Sequence, residues 1–303
     1  MEGAAKTSMR ESSRLCFSLR RVRAIAVITF TGLTRLKAFY FLLLFALLLI
    51  GNSVFLARLS FQEEFHILKD IGLGSMSIFT SLLAVMITAQ LIPSDLDDRT
   101  IYTILTKPVS RFEYLLGKLS AVLLLLGLSM IIMSALFYLV LGLREQIVLR
   151  ETIHQMNATP PEQLAEVMRS IRASALNLSL LIGIAVIYLK ACLLASLTLF
   201  ISTFATTTLF TTSIATFVYF IGHLQGTARE YWLQEHSSDW FTTLFVAVIT
   251  LFLPDLQSFN LVDDIVAGNG ISTGLLAKTA LLGFFYISFY LLFGWSIFYR
   301  KEL

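Results

Sequence analysis

The residue types and spacing best suited to mechanical work lie in a polar segment, residues 94–118, between two long apolar runs. Aspartates open this segment, and negative charge is favourable in the first turn of a helix. Ile101, Ile104 and Leu105 follow at helical spacing and form one apolar stripe. Pro108 then ends the helix, because proline disfavours helical geometry in the residue before it. The pattern predicts a short amphipathic helix.

Two functions are compatible with this predicted helix. It could rest its apolar stripe on the membrane headgroups, as interfacial helices do. Alternatively, it is a coupling helix, a lever seated in a groove of a cytoplasmic motor, with a smaller second contact from the Ser/Thr-rich turn at residues 202–208. In the coupling interpretation the contact residues are Asp98, Arg99, Thr100, Ile101, Ile104, Leu105, Lys107, Pro108 and Arg111.

No catalytic constellation accompanies this segment. The sequence contains no phosphate-binding loop of the Gly-x-x-x-x-Gly-Lys-Ser/Thr type, no nucleophile–base arrangement and no zinc-protease motif. Its 2 cysteines and 4 histidines show no metal-ligand spacing. We therefore expect neither an enzyme nor a resident cofactor or metal. The net charge of +3 has no binding motif behind it, which argues against nucleic acid as a partner.

Lys190 is a separate candidate, because it lies inside a long apolar run. An ionisable side chain within a membrane-spanning helix is costly and is a functional hypothesis by default. Two structural explanations stand beside that hypothesis. The lysine could snorkel toward an interface, or it could pair with a neighbouring subunit.

The elements that must position these residues are membrane-spanning helices. The chain of 303 residues is 56% hydrophobic and only 14% charged, against about 25% charged residues in a soluble domain. Its mean hydropathy is +0.78. The apolar residues form runs of about 18 or more, the length needed to cross a bilayer. We predict an all-α integral membrane protein.

Run lengths divide the chain into a basic tail with an interfacial elbow helix, residues 1–37, and a transmembrane domain, residues 38–303. Pro93 is expected to close the second span. The apolar piece ended by Pro254 is too short to cross, which predicts a re-entrant segment at residues 240–268. The six predicted spans cover about residues 38–57, 71–92, 114–143, 175–200, 206–224 and 274–298.

The distribution of basic residues predicts the orientation of the spans. The amino-terminal tail, the 94–118 segment and the carboxyl end hold more Lys and Arg than the opposite side, and fewer acidic residues offset them. An even number of spans puts both termini on one side of the membrane. Both termini are therefore expected in the cytoplasm, with the polar connection at residues 144–174 on the other face.

Several short motifs occur in a characteristic order: Thr100-Ile101, the Lys-Pro-Val-Ser-Arg turn at residues 107–111, Leu-Gly-Lys at residues 116–118, and the segments at 253–268 and 298–303. In order and spacing they resemble type-two ABC exporter permeases, in particular the branch grouped with copper-enzyme-maturation and gliding-motility permeases. The likeness covers most of the chain. It departs at Asp98-Arg99, where the family leads from an acidic residue to glycine.

The resemblance implies six spans per subunit, an amino-terminal elbow helix and re-entrant helices before the last span. It also implies two permease subunits, identical or paralogous, in a bacterial inner membrane over two copies of an ABC ATPase. ATP and magnesium would bind that ATPase, because this chain lacks a phosphate-binding loop. The implied function is ATP-driven export.

Other functions stay open on the sequence. The chain could anchor a recruited ATPase in a motility or assembly complex, or act as a secondary transporter or channel, a class that usually shows repeats or several intramembrane charges. A membrane-embedded enzyme would need a catalytic constellation that the sequence lacks. The apolar interior, with 25 phenylalanines in the chain, favours lipids or amphiphiles as substrates. A periplasmic partner could dock on residues 144–174.

Overall fold

The computed structural model describes seven stretches of the chain: residues 18–57, 64–98, 109–155, 168–169, 178–235, 252–266 and 272–300. Every regular element within them is helical. In chain order the helices are α1 Leu19–Leu33, α2 Lys37–Ala57, α3 Glu64–Asp97, α4 Arg111–Gln155, α5 Leu178–Phe204, α6 Thr208–Glu235, α7 Val262–Val266 and α8 Thr273–Arg300, with a 3-10 turn at Gln257–Phe259 before α7.

Within the described residues, five helices are long and apolar enough to cross a membrane: α2, α3, α4, α5 and α8. Their length and composition confirm the prediction of an all-α, multi-pass membrane protein. Helix α6 is also 28 residues long, but its sequence is less apolar and it is not among the five.

Helices α3 and α5 form the centre of the bundle. In each, 72% of the most apolar 18-residue stretch is buried, against 28% for α2 and α8. The two central helices pack along each other, while α2 packs on α3 and α8 packs on α5. Helix α6 contacts both central helices. The exposed apolar surfaces of α2 and α8 are the ones that a bilayer or a second subunit would cover.

The second predicted span is longer than expected, because Pro93 does not end it. Helix α3 continues through Pro93 to Asp97. Proline removes one helical hydrogen bond, but it is tolerated in membrane helices where neighbouring groups satisfy the freed backbone. The Ser94 hydroxyl donates to the Gln90 carbonyl beside this position, at 2.5 Å. The expectation that Pro93 closes the span is therefore wrong.

The predicted connection at residues 144–174 is also partly helical, because α4 extends to Gln155. An ion pair holds this end of the helix to the start of α3. The Arg144 guanidinium donates to both carboxylate oxygens of Glu64, at 2.9 and 2.8 Å. Arg144 is 5% exposed, so it does not present its charge to a solvated loop.

Only part of the predicted re-entrant segment lies among the described residues. Residues 236–251 and 267–271 lie outside them, and residues 252–266 contain the 3-10 turn and α7. The Leu256 amide donates to the Gly222 carbonyl of α6 at 2.9 Å. A Cβ atom added at Gly222 would stand 2.9 Å from the Pro254 carbonyl oxygen, so glycine is required for this close approach.

Helix α1 packs along α4, and its buried residues repeat at helical spacing on one face. The closest approach is at Gly117 of α4. A Cβ atom placed there would lie 2.8 Å from two side-chain atoms of Ile25 and 3.1 Å from the Val22 carbonyl oxygen. The backbone of α1 therefore rests directly on the glycine. A turn at residues 34–36 separates α1 from α2.

Gly117→Ala is expected to destabilise the protein, although alanine normally stabilises a helix by about 0.5–1 kcal/mol relative to glycine. The methyl group would push α1 away, and overpacking of this kind costs about 1–3 kcal/mol. Gly127→Ala in the same helix is the matched control, since its Cβ would stand 3.5 Å from the Tyr188 hydroxyl. Thermal unfolding in detergent compares the two. Equal melting temperatures would show that α1 does not depend on Gly117.

Candidate functional site

The predicted coupling residues fall mostly outside the described part of the chain. Arg99, Thr100, Ile101, Ile104, Leu105, Lys107 and Pro108 lie in residues 99–108, so their predicted role stays a prediction. Asp98 and Arg111 stand at the two borders of this segment and are described. We use the name coupling loop for residues 99–108.

The two border residues have different environments. Asp98 is exposed in the turn that follows α3, and its amide donates to the Ser94 carbonyl at 2.9 Å. Arg111 begins α4, and its guanidinium donates to the carbonyls of Phe298 and Tyr299, at 2.5 and 2.9 Å. Those carbonyls end α8, where the helix dipole favours a positive charge. Arg111 therefore joins the exit of the coupling loop to the end of α8.

A capping box starts α4 immediately after the coupling loop. The Ser110 amide donates to the Glu113 carboxylate at 2.9 Å, and the Glu113 amide donates to the Ser110 hydroxyl at 3.1 Å. This Ser-x-x-Glu arrangement satisfies two helix-end donors reciprocally. The sequence Ser-Arg-Phe-Glu at residues 110–113 is the signal from which the role of this glutamate can be predicted.

The same carboxylate also holds the start of α1. The Ser18 amide donates to it at 2.6 Å, and the Arg21 guanidinium donates to it at 3.4 Å. The Glu113 side chain is only 1% exposed. One buried carboxylate therefore joins the first turns of α1 and α4, which we call the Glu113 junction. Movement at the exit of the coupling loop would be transmitted to both helices.

A second ion pair lies at the entrance of the loop. The Lys118 ammonium donates to the Asp95 carboxylate at 2.6 Å, with side chains 9% and 15% exposed. The Tyr114 hydroxyl donates to the same carboxylate, and its ring lies 5.6 Å from the Lys118 nitrogen. The last turn of α3 is thus bound to the first two turns of α4. Each end of the coupling loop is therefore followed or preceded by a set of paired polar side chains.

A cavity of about 590 Å³ lies beside the Asp95–Lys118 ion pair, between α1 and the end of α3. Its polar end includes Arg21, Asp95 and Lys118, and much of its remaining wall is apolar side chains of α1, such as Ile25 and Ile28. Lys118 of α4 lines the cavity as well, so the cavity lies where α1, α4 and the end of α3 meet.

Lys190 lies at a different level, in the centre of the bundle. Lys190 is 3% exposed. Its ammonium nitrogen lies 3.3 Å from the Ser77 hydroxyl of α3 and 3.0 Å from His223 Nε2 of α6. The ring of Tyr219 lies 6.0 Å from the same nitrogen. These four residues are the Lys190 cluster. Both of these contacts are made within the same chain. His223 was not predicted as a partner.

Comparison with known proteins decides the family. The family model for the ABC-2 family transporter protein matches residues 25–303, nearly the whole chain. The chain belongs to the ABC-2 transporter family. This confirms the resemblance to type-two ABC permeases. No individual curated protein shows a significant sequence match to the chain.

As an ABC-2 family member the chain is a membrane-spanning permease of an ABC transporter, with several apolar helices that fit a multi-pass membrane protein. The family implies an ABC ATPase as partner. The Glu113 junction and the Asp95–Lys118 pair are thus the permease's own supports for the loop predicted to meet that ATPase. Lys190 lies within α5, several helical turns before the end of that helix at Phe204.

Proposed function

We propose that this ABC-2 permease is the membrane subunit of an exporter in which a separate ATPase, bound at the coupling loop, drives substrate across the membrane. The observation that carries the proposal is the support of both loop ends. Asp95 and Lys118 hold the entrance, while Glu113 and Arg111 connect the exit to α1 and α8. A push on the loop would thereby reach three helices through charged hydrogen bonds, which are stronger than neutral ones.

In this mechanism the chain is not itself an enzyme and holds no cofactor. ATP and magnesium bind two copies of the ATPase, and closure of that ATPase pair pushes residues 100–105. The push repacks the spans against a second permease subunit, identical or paralogous, and the transport pathway alternates between inward-facing and outward-facing states. The Ser/Thr-rich segment at residues 202–208, where α5 ends and α6 begins, gives a smaller second contact.

The proposed topology has six crossings, with α6 as the fifth. At about 1.5 Å per residue, the 28 residues of α6 extend roughly 42 Å, more than the 30 Å hydrocarbon core of a bilayer. Several large apolar side chains of α6 are exposed, including Phe217, Phe220 and Leu224. With six crossings, both termini lie on the same side of the bacterial inner membrane, which is the cytoplasmic side in this proposal. Helix α1 then lies in the membrane interface, and a periplasmic partner would bind near residues 144–174.

Copurification from the native host tests the proposal. The tagged chain, solubilised in mild detergent, is expected to bring down about one copy of a soluble protein with a phosphate-binding loop for each permease chain, together with ATPase activity. Recovery of the chain alone in several detergents, without ATPase activity, would contradict the proposal and favour a secondary transporter or channel.

A further inference from the structure

The Lys190 cluster carries a positive charge in the interior of the bundle, on the central helix α5. Its hydrogen-bond partners come from two other helices, Ser77 of α3 and His223 of α6. A charge buried in an apolar interior is costly unless it is paired, and intramembrane charges usually mark substrate or ion pathways. The cost of burying this charge therefore depends on the groups that surround it.

The tautomer of His223 follows from its second contact. Its Nδ1 atom lies 3.0 Å from the Tyr219 carbonyl oxygen, which can only accept a hydrogen bond. Nδ1 therefore carries the proton, and in the neutral ring Nε2 is left as the acceptor for the Lys190 ammonium, 3.0 Å away. The histidine orients the lysine without neutralising it. The pair carries one positive charge.

No carboxylate among the described side chains forms an ion pair with Lys190, since the ion pairs within them join other residues. Asp255 interacts electrostatically with His223, but its two oxygens accept from the Gln257 amide and the Ser258 hydroxyl, at 3.0 and 2.9 Å. An ammonium group has three donors. Two are used by Ser77 and His223, and the third has no partner within the described residues.

The surface beside the cluster is apolar. His223 and the ring of Tyr219 are half-buried at the edge of the bundle, and they border an exposed apolar face of α6. On that face Phe220 is 59% exposed and Leu224 is 66% exposed. A ligand that reached Lys190 past His223 would meet hydrocarbon on one side and a single cation with a spare donor on the other.

We infer that the Lys190 cluster binds the anionic oxygen group of a transported amphiphile, a phosphate or carboxylate carried on apolar chains. Lys190 supplies the charge and a donor, His223 and Ser77 hold its position, and the exposed apolar face of α6 receives the chains. That the bound molecule is the transported substrate rests on the exporter function proposed above. The binding itself can be measured on the permease without its ATPase.

Titration calorimetry of the full chain in dodecyl maltoside tests the site with three probes. Dihexanoyl phosphatidate carries the phosphate and the chains, dihexanoylglycerol carries only the chains, and inorganic phosphate carries only the anion. The wild type is expected to bind the phosphatidate at least about tenfold more tightly than either of the other two, since a charged hydrogen bond accounts for about that factor.

Two variants remove the charge in different ways. Lys190→Met removes all donors, and Lys190→Gln keeps donors for Ser77 and His223. Both are expected to weaken phosphatidate binding by about tenfold or more, without lowering the melting temperature, because a buried charge has been removed. Lys278→Met is the matched control, since Lys278 is exposed on α8. It is expected to bind like the wild type.

Equal binding of phosphatidate and dihexanoylglycerol, or unchanged binding in Lys190→Gln, would overturn the inference. Inorganic phosphate binding as tightly as the phosphatidate would replace the amphiphile by a free anion and would also overturn it. These outcomes are independent of the exporter proposal. If an ATPase copurifies but the permease shows no selectivity for phosphatidate, the exporter proposal stands and the binding site does not. If the permease is selective but no ATPase copurifies, the binding site stands and the exporter proposal does not.

Discussion

Glu113→Ala is expected to lower the stability of the permease by about 3 kcal/mol, because one buried carboxylate accepts hydrogen bonds from three donors. Two are the amides of Ser18 and Ser110, and the third is the Arg21 guanidinium. Hydrogen bonds to charged groups contribute about 1.5–3 kcal/mol each, and they are not additive. The apparent melting temperature in detergent should fall by roughly 5 °C or more. The melting temperature of Glu113→Gln should lie between those of the wild type and Glu113→Ala, since an amide oxygen still accepts hydrogen bonds.

Glu151→Ala is the matched control for this substitution. Glu151 lies on the same helix, and it is exposed. Its removal should change the melting temperature by no more than about 1–2 °C, because surface substitutions are usually within about 0.5 kcal/mol. If both alanine variants melt together, the Glu113 junction does not hold α1 to α4. Protease sensitivity of the amino-terminal segment offers a second readout, because α1 should detach first.

The double substitution Ile101→Glu with Leu105→Glu is expected to abolish productive contact with the ATPase. In the proposed complex the apolar stripe of the coupling loop is buried against the motor. An unpaired charge buried at an interface costs about 3–5 kcal/mol, which corresponds to more than 100-fold in association. Copurified ATPase should fall below a tenth of the wild-type ratio, and ATP-dependent transport should be lost with it.

The same variant should retain its melting temperature in detergent, because the coupling loop precedes α4 and the two side chains lie on a predicted surface helix. Ile153→Glu is the control, since it places the same charge on an exposed isoleucine toward the far end of α4. That control should keep the ATPase. An ATPase ratio unchanged by the double substitution would show that the loop rests on headgroups and that the motor binds elsewhere.

The supports of the loop explain why these two sets of variants should behave differently. Glu113 lies behind the loop, where it joins helices within the permease. Ile101 and Leu105 lie in the loop that the motor is proposed to contact. The first substitution should therefore change stability with the ATPase still able to bind, while the second should change binding without changing stability. Measuring stability and ATPase binding on each variant separates the support of the loop within the permease from its contact with the ATPase.

The sequence alone was sufficient for the membrane class and the family. Long apolar runs must become helices in a bilayer, because every backbone polar group needs a partner that hydrocarbon cannot supply. The order of short motifs around residues 107–118 indicated the type-two permease, and the family match over residues 25–303 confirms it. Both inferences depend on local composition and spacing, which a single sequence displays directly.

The ends of the helices were harder to predict. Pro93 lies within α3 and α4 continues to Gln155, although the proline and the polar residues after position 143 had predicted an end of each span there. At Pro93 a neighbouring hydroxyl bonds the backbone, and beyond residue 143 the Arg144–Glu64 pair fastens α4 to α3. Hydropathy reports where apolar side chains run, and it carries no information on such pairs.

The partners of the charged residues were decided by the tertiary structure alone. Glu113 meets the Ser18 amide across 95 positions of chain, and Lys190 meets Ser77 across 113. Charged side chains tolerate burial only beside specific partners, and packing of α1 on α4 and of α3 on α5 determines which partners are near. The sequence placed a lysine in an apolar span. The fold surrounded it with a histidine and a serine and, among the described side chains, with no carboxylate in ion-pair contact.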